Sequence, residues 1–170
     1  MSIKTFEVPK ELGQSYFFPE KIISEEIDEL DHFNVNKIFI YDAAFYVGIQ
    51  ALKPWEENEA SISALLTEWP VLRDQLKINF KNRDLAGAKE PMKKGIGLFI
   101  EMMHWTNGTP VKLSPEIVWN NLAVKPVNVR ERLDFILRRP VFYPSYMQLI
   151  ELMIEMEKLY KKSIAIKKSV

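Results

Sequence analysis

The spacing of helix-ending residues is the feature that most constrains what this chain can fold into. Ten prolines are spread along the sequence, and its apolar segments are bounded by proline, asparagine or glycine. Proline interrupts a helix, and a pair such as Asn107-Gly108 closes one, because glycine adopts the left-handed conformation without steric cost. No segment alternates apolar and polar residues over a useful length, as a half-buried strand would. The sequence therefore predicts an all-α fold, a single-domain irregular helical bundle of about six to eight helices.

Capping residues predict the helices of the amino-terminal part. Ser24 is followed by two glutamates, and a hydroxyl cap with early negative charge is typical of a helix start. This first helix should end near Asp31. The segment 35–52 follows Asn34, a second cap, and has few polar positions. It predicts a central helix that is surrounded on nearly all sides.

The middle of the chain predicts four further helical pieces. A helix capped by Asn58 should break at Pro70, because proline removes a backbone hydrogen bond, and a second short helix should then carry Leu72, Leu76 and Phe80. A firm helix should run over about 91–106. Ser114 as a cap and Pro115 at the first helical position predict one more turn.

Residues 125–149, KPVNVRERLDFILRRPVFYPSYMQL, combine three prolines and four arginines with many large apolar side chains. Asn128 and Glu131 have the spacing of a capping box, with Asn in place of Ser or Thr. Pro140 and Pro144 then bracket a turn into the last helix. This pattern indicates two helices that meet at a tight corner.

Composition limits the cellular locations and the kinds of chemistry that can be expected of this chain. Twenty-three basic and 23 acidic residues cancel, so no global field attracts nucleic acid or an anionic membrane, and the absence of cysteine excludes thiol chemistry and disulfides. The amino terminus lacks a signal-peptide pattern, and the most apolar run, 38–52, is too short to span a membrane. We expect a cytoplasmic protein without membrane contact. Residues 1–21 should form an extended arm, and residues 22–170 one helical domain.

The carboxy-terminal two thirds, over 55–159, resembles a known family. The residues that carry the resemblance are Asn107-Gly108, Lys125-Pro126-Val127-Asn128, Glu131-Arg132-Leu133, Phe135-Ile136, Pro140 and Gln148-Leu149. They are similar to those of the YpoC-like family, small helical proteins of unknown function from Bacillus-type bacteria. The resemblance implies a cytoplasmic bacterial protein whose gene neighbours serve DNA replication, DNA repair and cell-wall synthesis, and hence a partner in one of these processes. It supplies no catalytic residues.

A repeated Glu-x-x-His pattern is the sharpest chemical signal. Glu29 with His32, and Glu101 with His104, have the spacing that helical di-iron carboxylate proteins use. However, the first pair lies at the end of a short helix, and the second shares a helical stripe with Lys94 that resembles a solvated face. We therefore interpret the residues of both pairs as polar surface residues, and we predict no metal or cofactor.

Asp42 is a lone carboxylate in an apolar helix. A buried, ionised carboxylate requires a cation or several donors, and strongly shifted acids also occur in active sites. We favour a structural pairing with Arg130, Arg132 or a lysine, because no second acid or nucleophile is near in the sequence.

Two sets of residues are candidates for binding a partner. Arginines and tyrosines of the corner could bind phosphate and stack on bases, although Glu131 and Asp134 neutralise part of that charge. Large side chains of the last helix cover more faces than one neighbouring helix would bury. The first set is Arg130, Arg132, Arg138, Arg139, Tyr143 and Tyr146, and the second is Tyr146, Met153, Met156 and Tyr160.

These patterns favour a non-enzymatic helical domain that binds another protein, with no catalytic residues. The alternative is a nucleic-acid-associated accessory protein that uses the arginine-rich corner. A di-iron carboxylate enzyme is third.

Overall fold

The computed structural model describes residues 2–114 and 116–169 of the 170-residue chain. In these two ranges the chain forms five α-helices and one two-stranded sheet. The strands are β1 (Ile3–Glu7) and β2 (Ile22–Glu26), and the helices are α1 (Ile40–Val47), α2 (Asn58–Lys81), α3 (Leu85–Thr106), α4 (Val129–Arg138) and α5 (Tyr143–Lys168). The all-α prediction is thus right for most of the fold, but the helices are fewer than predicted and a small sheet accompanies them.

The sheet lies where the sequence predicted an arm and a helix. β1 and β2 pair in antiparallel register, with Thr5 opposite Ser24 and their hydroxyls 2.8 Å apart. Lys4 lies opposite Glu25, and such opposite-charge pairs stabilise neighbouring strands. The helix predicted at Ser24 is therefore wrong, because cross-strand pairing outweighs its capping signal. The division into an arm of residues 1–21 and a domain of residues 22–170 remains a prediction.

Helix α1 is much shorter than the predicted 35–52. Asn34 caps a turn instead, since its side-chain oxygen accepts a hydrogen bond from the backbone N–H of Asn36 at 2.9 Å. The helix begins after Phe39, whose φ of 63° is left-handed, and ends at Gly48, whose φ is 78°. Two left-handed residues therefore set its limits.

Helices α2 and α3 pass through prolines that were predicted to break or to start them. α2 continues beyond Pro70, and its buried stripe continues with it, from Trp69 to Leu72. α3 begins before Pro91, because the side chain of Asp84 caps it by accepting a hydrogen bond from the backbone N–H of Gly87 at 2.9 Å. The two helices pack side by side, so tertiary burial offsets the backbone bond that each proline removes.

The second half of α3 is the centre of the fold. Every residue over 95–106 is buried, and the helix packs against both α2 and α5. It ends at Thr106, and Gly108 follows with a φ of 72°, which confirms the predicted stop. No helix in residues 2–114 and 116–169 has the length and apolar character needed to cross a membrane.

The predicted corner between α4 and α5 is present. Asn128 directly precedes α4, but its φ is 54° and its side chain forms no capping hydrogen bond, so the predicted capping box is not made. Pro144 lies in the first turn of α5. Of the turn predicted from Ser114, Pro115 lies outside the described residues, and a 3-10 helix over Glu116–Asn121 follows.

Candidate functional site

The two Glu-x-x-His pairs lie in different environments. His32 follows the 3-10 turn Ile27–Glu29 and its side chain is 88% exposed, whereas Glu101 and His104 are buried in α3. The prediction that the second pair lies on a solvated face is wrong, because α3 is covered on all sides there. Within the two described ranges, no three His, Asp or Glu side chains are grouped so that they could hold a metal ion.

Asp42 is fully buried, and its partners are neutral. Its Oδ2 accepts hydrogen bonds from the indole Nε1 of Trp105 at 3.0 Å and from the backbone N–H of Val111 at 2.7 Å. Burial raises the pKa of Asp42 to about 6, and the two hydrogen bonds oppose that rise. The predicted pairing with Arg130, Arg132 or a lysine is therefore wrong. A carboxylate with two neutral donors joins α1 to α3 and to the segment that follows α3.

Glu101 and His104 make similar internal connections. The Oε2 of Glu101 accepts a hydrogen bond from the backbone N–H of Phe39 at 3.0 Å, and burial raises the pKa of Glu101 well above its usual value, with the nearby charge of Asp42 adding to the rise. Burial lowers the pKa of His104 to about 4, so its ring is neutral near pH 7. Its Nδ1 lies 2.8 Å from the carbonyl oxygen of Ile100. All three titratable groups are closed to solvent, so the geometry gives them structural roles and no access to a substrate.

The arginines of the corner have different surroundings in the structure. Arg132 donates to Oε2 of Glu155 at 2.7 Å, and Arg139 stacks on the ring of Phe142 at 3.8 Å. Arg130 lines a small cavity beneath α4. These three arginines therefore do not share one groove with Tyr143.

The predicted contact residues of α5 belong to the core. Tyr146, Met153, Met156 and Tyr160 are each at most 5% exposed. Their many apolar faces are covered by several neighbours, since α5 packs on α2, α3 and α4. All four side chains are therefore largely buried, and their role as contact residues stays a prediction.

Tyr143 is exposed and lies in a groove that the sequence did not predict. The α2–α5 groove has a volume of about 620 Å³. Its walls include Arg73, Lys77, Phe80 and Lys81 of α2, and Tyr143 and Tyr146 of α5. The four-residue spacing of Arg73, Lys77 and Lys81 is visible in the sequence and could have indicated a basic face of α2. The packing of α2 against α5 is not visible in the sequence.

A second groove lies where the amino-terminal segment crosses the helices. This arm groove has a volume of about 360 Å³ and is lined by Phe17, Phe18, Ile38, Phe39, Leu72 and Pro91. Glu90, Lys93 and Lys94 add charges of both signs. Lys94 donates to Oε1 of Glu68 at 2.8 Å, and the ammonium of Lys93 lies 5.4 Å from the centre of the Tyr16 ring. The groove is therefore apolar inside and mixed in charge around it.

Comparison with known proteins places the chain in a family. The model of the YpoC-like protein family matches residues 59–168. The chain is similar to the uncharacterized protein YpoC of Bacillus subtilis (strain 168), with 33% identity over 123 residues that cover 69% of this chain and 73% of the relative. No solved structure matches the chain. The resemblance seen in the sequence is thereby confirmed, and this chain belongs to the YpoC-like protein family.

Proposed function

We propose that this protein is a non-enzymatic, cytoplasmic accessory protein that binds a segment of another protein in the arm groove. The observation that supports the proposal is an accessible groove with six apolar lining residues and charges of both signs at its edge. Protein interfaces have this composition, with an apolar centre and a polar rim. A nucleic acid would require an excess of positive charge, which Glu90 and Glu68 remove here.

The size of the groove defines the occupant. A volume of about 360 Å³ accommodates a few large apolar side chains, such as those on one face of a short peptide. Phe17 packs edge-on against Phe39, with ring centres 4.9 Å apart, so the walls are already ordered. Such a preformed pocket takes an apolar anchor residue with little loss of conformational entropy.

The buried acids support a non-enzymatic role. Asp42, Glu101 and His104 have strongly shifted pKa values of the kind that would suggest catalysis, and each is at most 2% exposed. Acid–base chemistry requires contact between such a group and a substrate. Following the family resemblance, the proposal includes a partner that acts in DNA replication, DNA repair or cell-wall synthesis.

The experiment uses a random peptide library displayed on phage and selected against the full-length protein. Peptides that bind should carry large apolar residues, and their binding should be lost in Asn36→Trp, which places a ring across the exposed edge of the groove. Ser63→Trp, at an exposed position of α2, is the matched control and should bind normally. Circular dichroism establishes that both variants fold. A failure to select peptides, or equal loss in both variants, would show that the arm groove binds no protein segment.

A further inference from the structure

The α2–α5 groove has a basic wall. Arg73, Lys77 and Lys81 follow one another at four-residue spacing, so they lie along one face of α2 with successive Cα atoms about 6 Å apart along the axis. Arg73 contacts the neighbouring Asp74 at 3.3 Å, in an exposed pair that contributes little. Asp74 is the acidic residue among those that line the groove. Three cations and one anion leave this groove positive in a chain whose total charge is zero.

The aromatic residues of the groove come from both helices and are firmly held. The Phe80 ring stacks on Tyr146, with centres 5.2 Å apart and planes 28° apart, and meets Tyr143 edge-on at 5.8 Å. The Tyr146 hydroxyl donates a hydrogen bond to the backbone carbonyl of Arg73 at 2.9 Å, which ties α5 to α2. Tyr143 is the outermost ring and is 54% exposed. A rigid aromatic cluster thus presents one open ring beside the basic wall.

We propose that the α2–α5 groove binds single-stranded nucleic acid. Phosphates would contact Lys77, Lys81 and Arg73, and a base would stack on Tyr143, which is the combination that sequence-tolerant single-strand sites use. A single strand is favoured over a duplex because its bases are free to stack on an exposed ring, whereas the bases of a duplex are stacked on one another. An acidic peptide would satisfy the cations but would leave the exposed ring unused.

This site shares Tyr143 and Tyr146 with the arginine-rich corner considered from the sequence, but its cations are different. Arg132 is bound to Glu155 and Arg139 to Phe142, so neither is needed for the contacts proposed here. Lys77 and Lys81 are exposed and form no ion pair with a residue in the described ranges. Their charges are therefore available to phosphates.

Fluorescence anisotropy tests the proposal with labelled 20-nucleotide oligo(dT), oligo(U) of the same length, and a duplex of mixed sequence. The intact protein should bind the single strands more tightly than the duplex, and affinity should fall as salt rises. Lys77→Ala with Lys81→Ala should reduce the slope of log K against log salt by about 1.4, since each single-strand phosphate contact contributes about 0.7. Lys158→Ala with Lys162→Ala, exposed on α5, is the matched control and should leave the slope unchanged.

The aromatic contact requires its own variants. Tyr143→Ala should weaken binding on the order of 10-fold without changing the salt slope, and Tyr143→Phe should restore it, because stacking needs the ring and not the hydroxyl. Absence of salt-sensitive binding by the intact protein would overturn the proposal. It would also be overturned by equal affinity for the duplex, by equally effective competition from polyglutamate, or by a Tyr143→Ala variant that binds normally.

Discussion

The backbone N–H of Phe39 donates a hydrogen bond of 3.0 Å to Oε2 of Glu101, 62 positions further along the chain. Phe39 has a φ of 63°, a conformation that costs a non-glycine residue about 1–2 kcal/mol. The bond to Glu101 offsets part of this cost and fixes the start of α1 on the central helix. Because Phe39 also lines the arm groove, a buried acid helps to shape that groove.

Removal of the Glu101 side chain should destabilise the protein. Glu101→Ala leaves the Phe39 N–H without its acceptor and opens a cavity in the core, so we expect a loss of about 2–4 kcal/mol in the free energy of unfolding. Glu101→Gln keeps an acceptor oxygen and should lose much less. Urea unfolding at neutral pH measures the free energy of unfolding of both variants. If Glu101→Ala costs no more than Glu151→Ala, at an exposed position of α5, the bond has no stabilising role.

Asp42 should make stability depend on pH. Burial raises its pKa from 3.8 to about 6, so the folded protein holds this proton more tightly than the unfolded chain. The contribution of Asp42 is therefore complete below pH 3.8 and declines as the pH rises through 6, by about 3 kcal/mol in all. Asp42→Asn keeps an oxygen for Trp105 and Val111 but does not titrate.

Paired urea unfolding curves of the wild-type protein and Asp42→Asn test this dependence. The stability of the wild type relative to the variant should decrease between about pH 4 and pH 7 and become constant above that range. A difference that is independent of pH would mean that Asp42 keeps an ordinary pKa in the folded protein.

Local signals predicted the parts of the fold that local geometry determines. Asn107-Gly108 ends α3 where expected, because a left-handed glycine closes a helix whatever surrounds it. Pro140 lies in the turn between α4 and α5, and Pro144 lies in the first turn of α5, for a similarly local reason. The helix break predicted at Pro70 is wrong, because a helix that buries an apolar face on both sides of a proline can continue through it.

Contacts between residues that are far apart in the sequence could not be predicted from local signals. The donors of Asp42 come from Trp105 and Val111, more than sixty positions away, and no spacing in the sequence connects them. Tyr143 was recognised as a candidate from its own segment. Its neighbours in the structure, Phe80 and Lys77, depend on the packing of α5 against α2, which sequence periodicity does not specify.

Gly97 permits a close approach between α3 and the turn before α1. A Cβ atom at this position would lie 2.6 Å from Cγ2 of Ile38, and a β-branched side chain has few alternative rotamers. Alanine favours helix over glycine by about 1 kcal/mol, but the overlap should outweigh this gain. We expect Gly97→Ala to reduce the free energy of unfolding by about 1–2 kcal/mol.

A double-mutant cycle with Ile38→Ala tests the cause of that loss. If the overlap with Ile38 is responsible, Gly97→Ala should cost little or nothing in the Ile38→Ala background, so the two effects should not add. Additive effects would show that the glycine is required for another reason.

Arg83 occupies a position that favours glycine. It follows the end of α2 with a φ of 54°, its N–H donates to the carbonyl of Phe80 at 3.1 Å, and the next N–H, of Asp84, donates to Asn79 at 2.8 Å. This pair of bonds defines a Schellman motif, in which the left-handed residue is most often glycine. The Arg83 side chain is exposed, so its removal opens no cavity. Arg83→Gly should therefore stabilise the protein by about 0.5–1 kcal/mol, the net of relieved strain and added chain entropy.

Thermal unfolding of Arg83→Gly should show a rise of about 2–4 °C in Tm for each kcal/mol gained. Arg83→Ala is the matched control, because it removes the same side chain atoms beyond Cβ and retains the strain at φ 54°. It should show no such increase. Equal stabilisation in both variants would assign the effect to the arginine side chain, and a loss in the glycine variant would mean that the left-handed conformation at this position carries no cost.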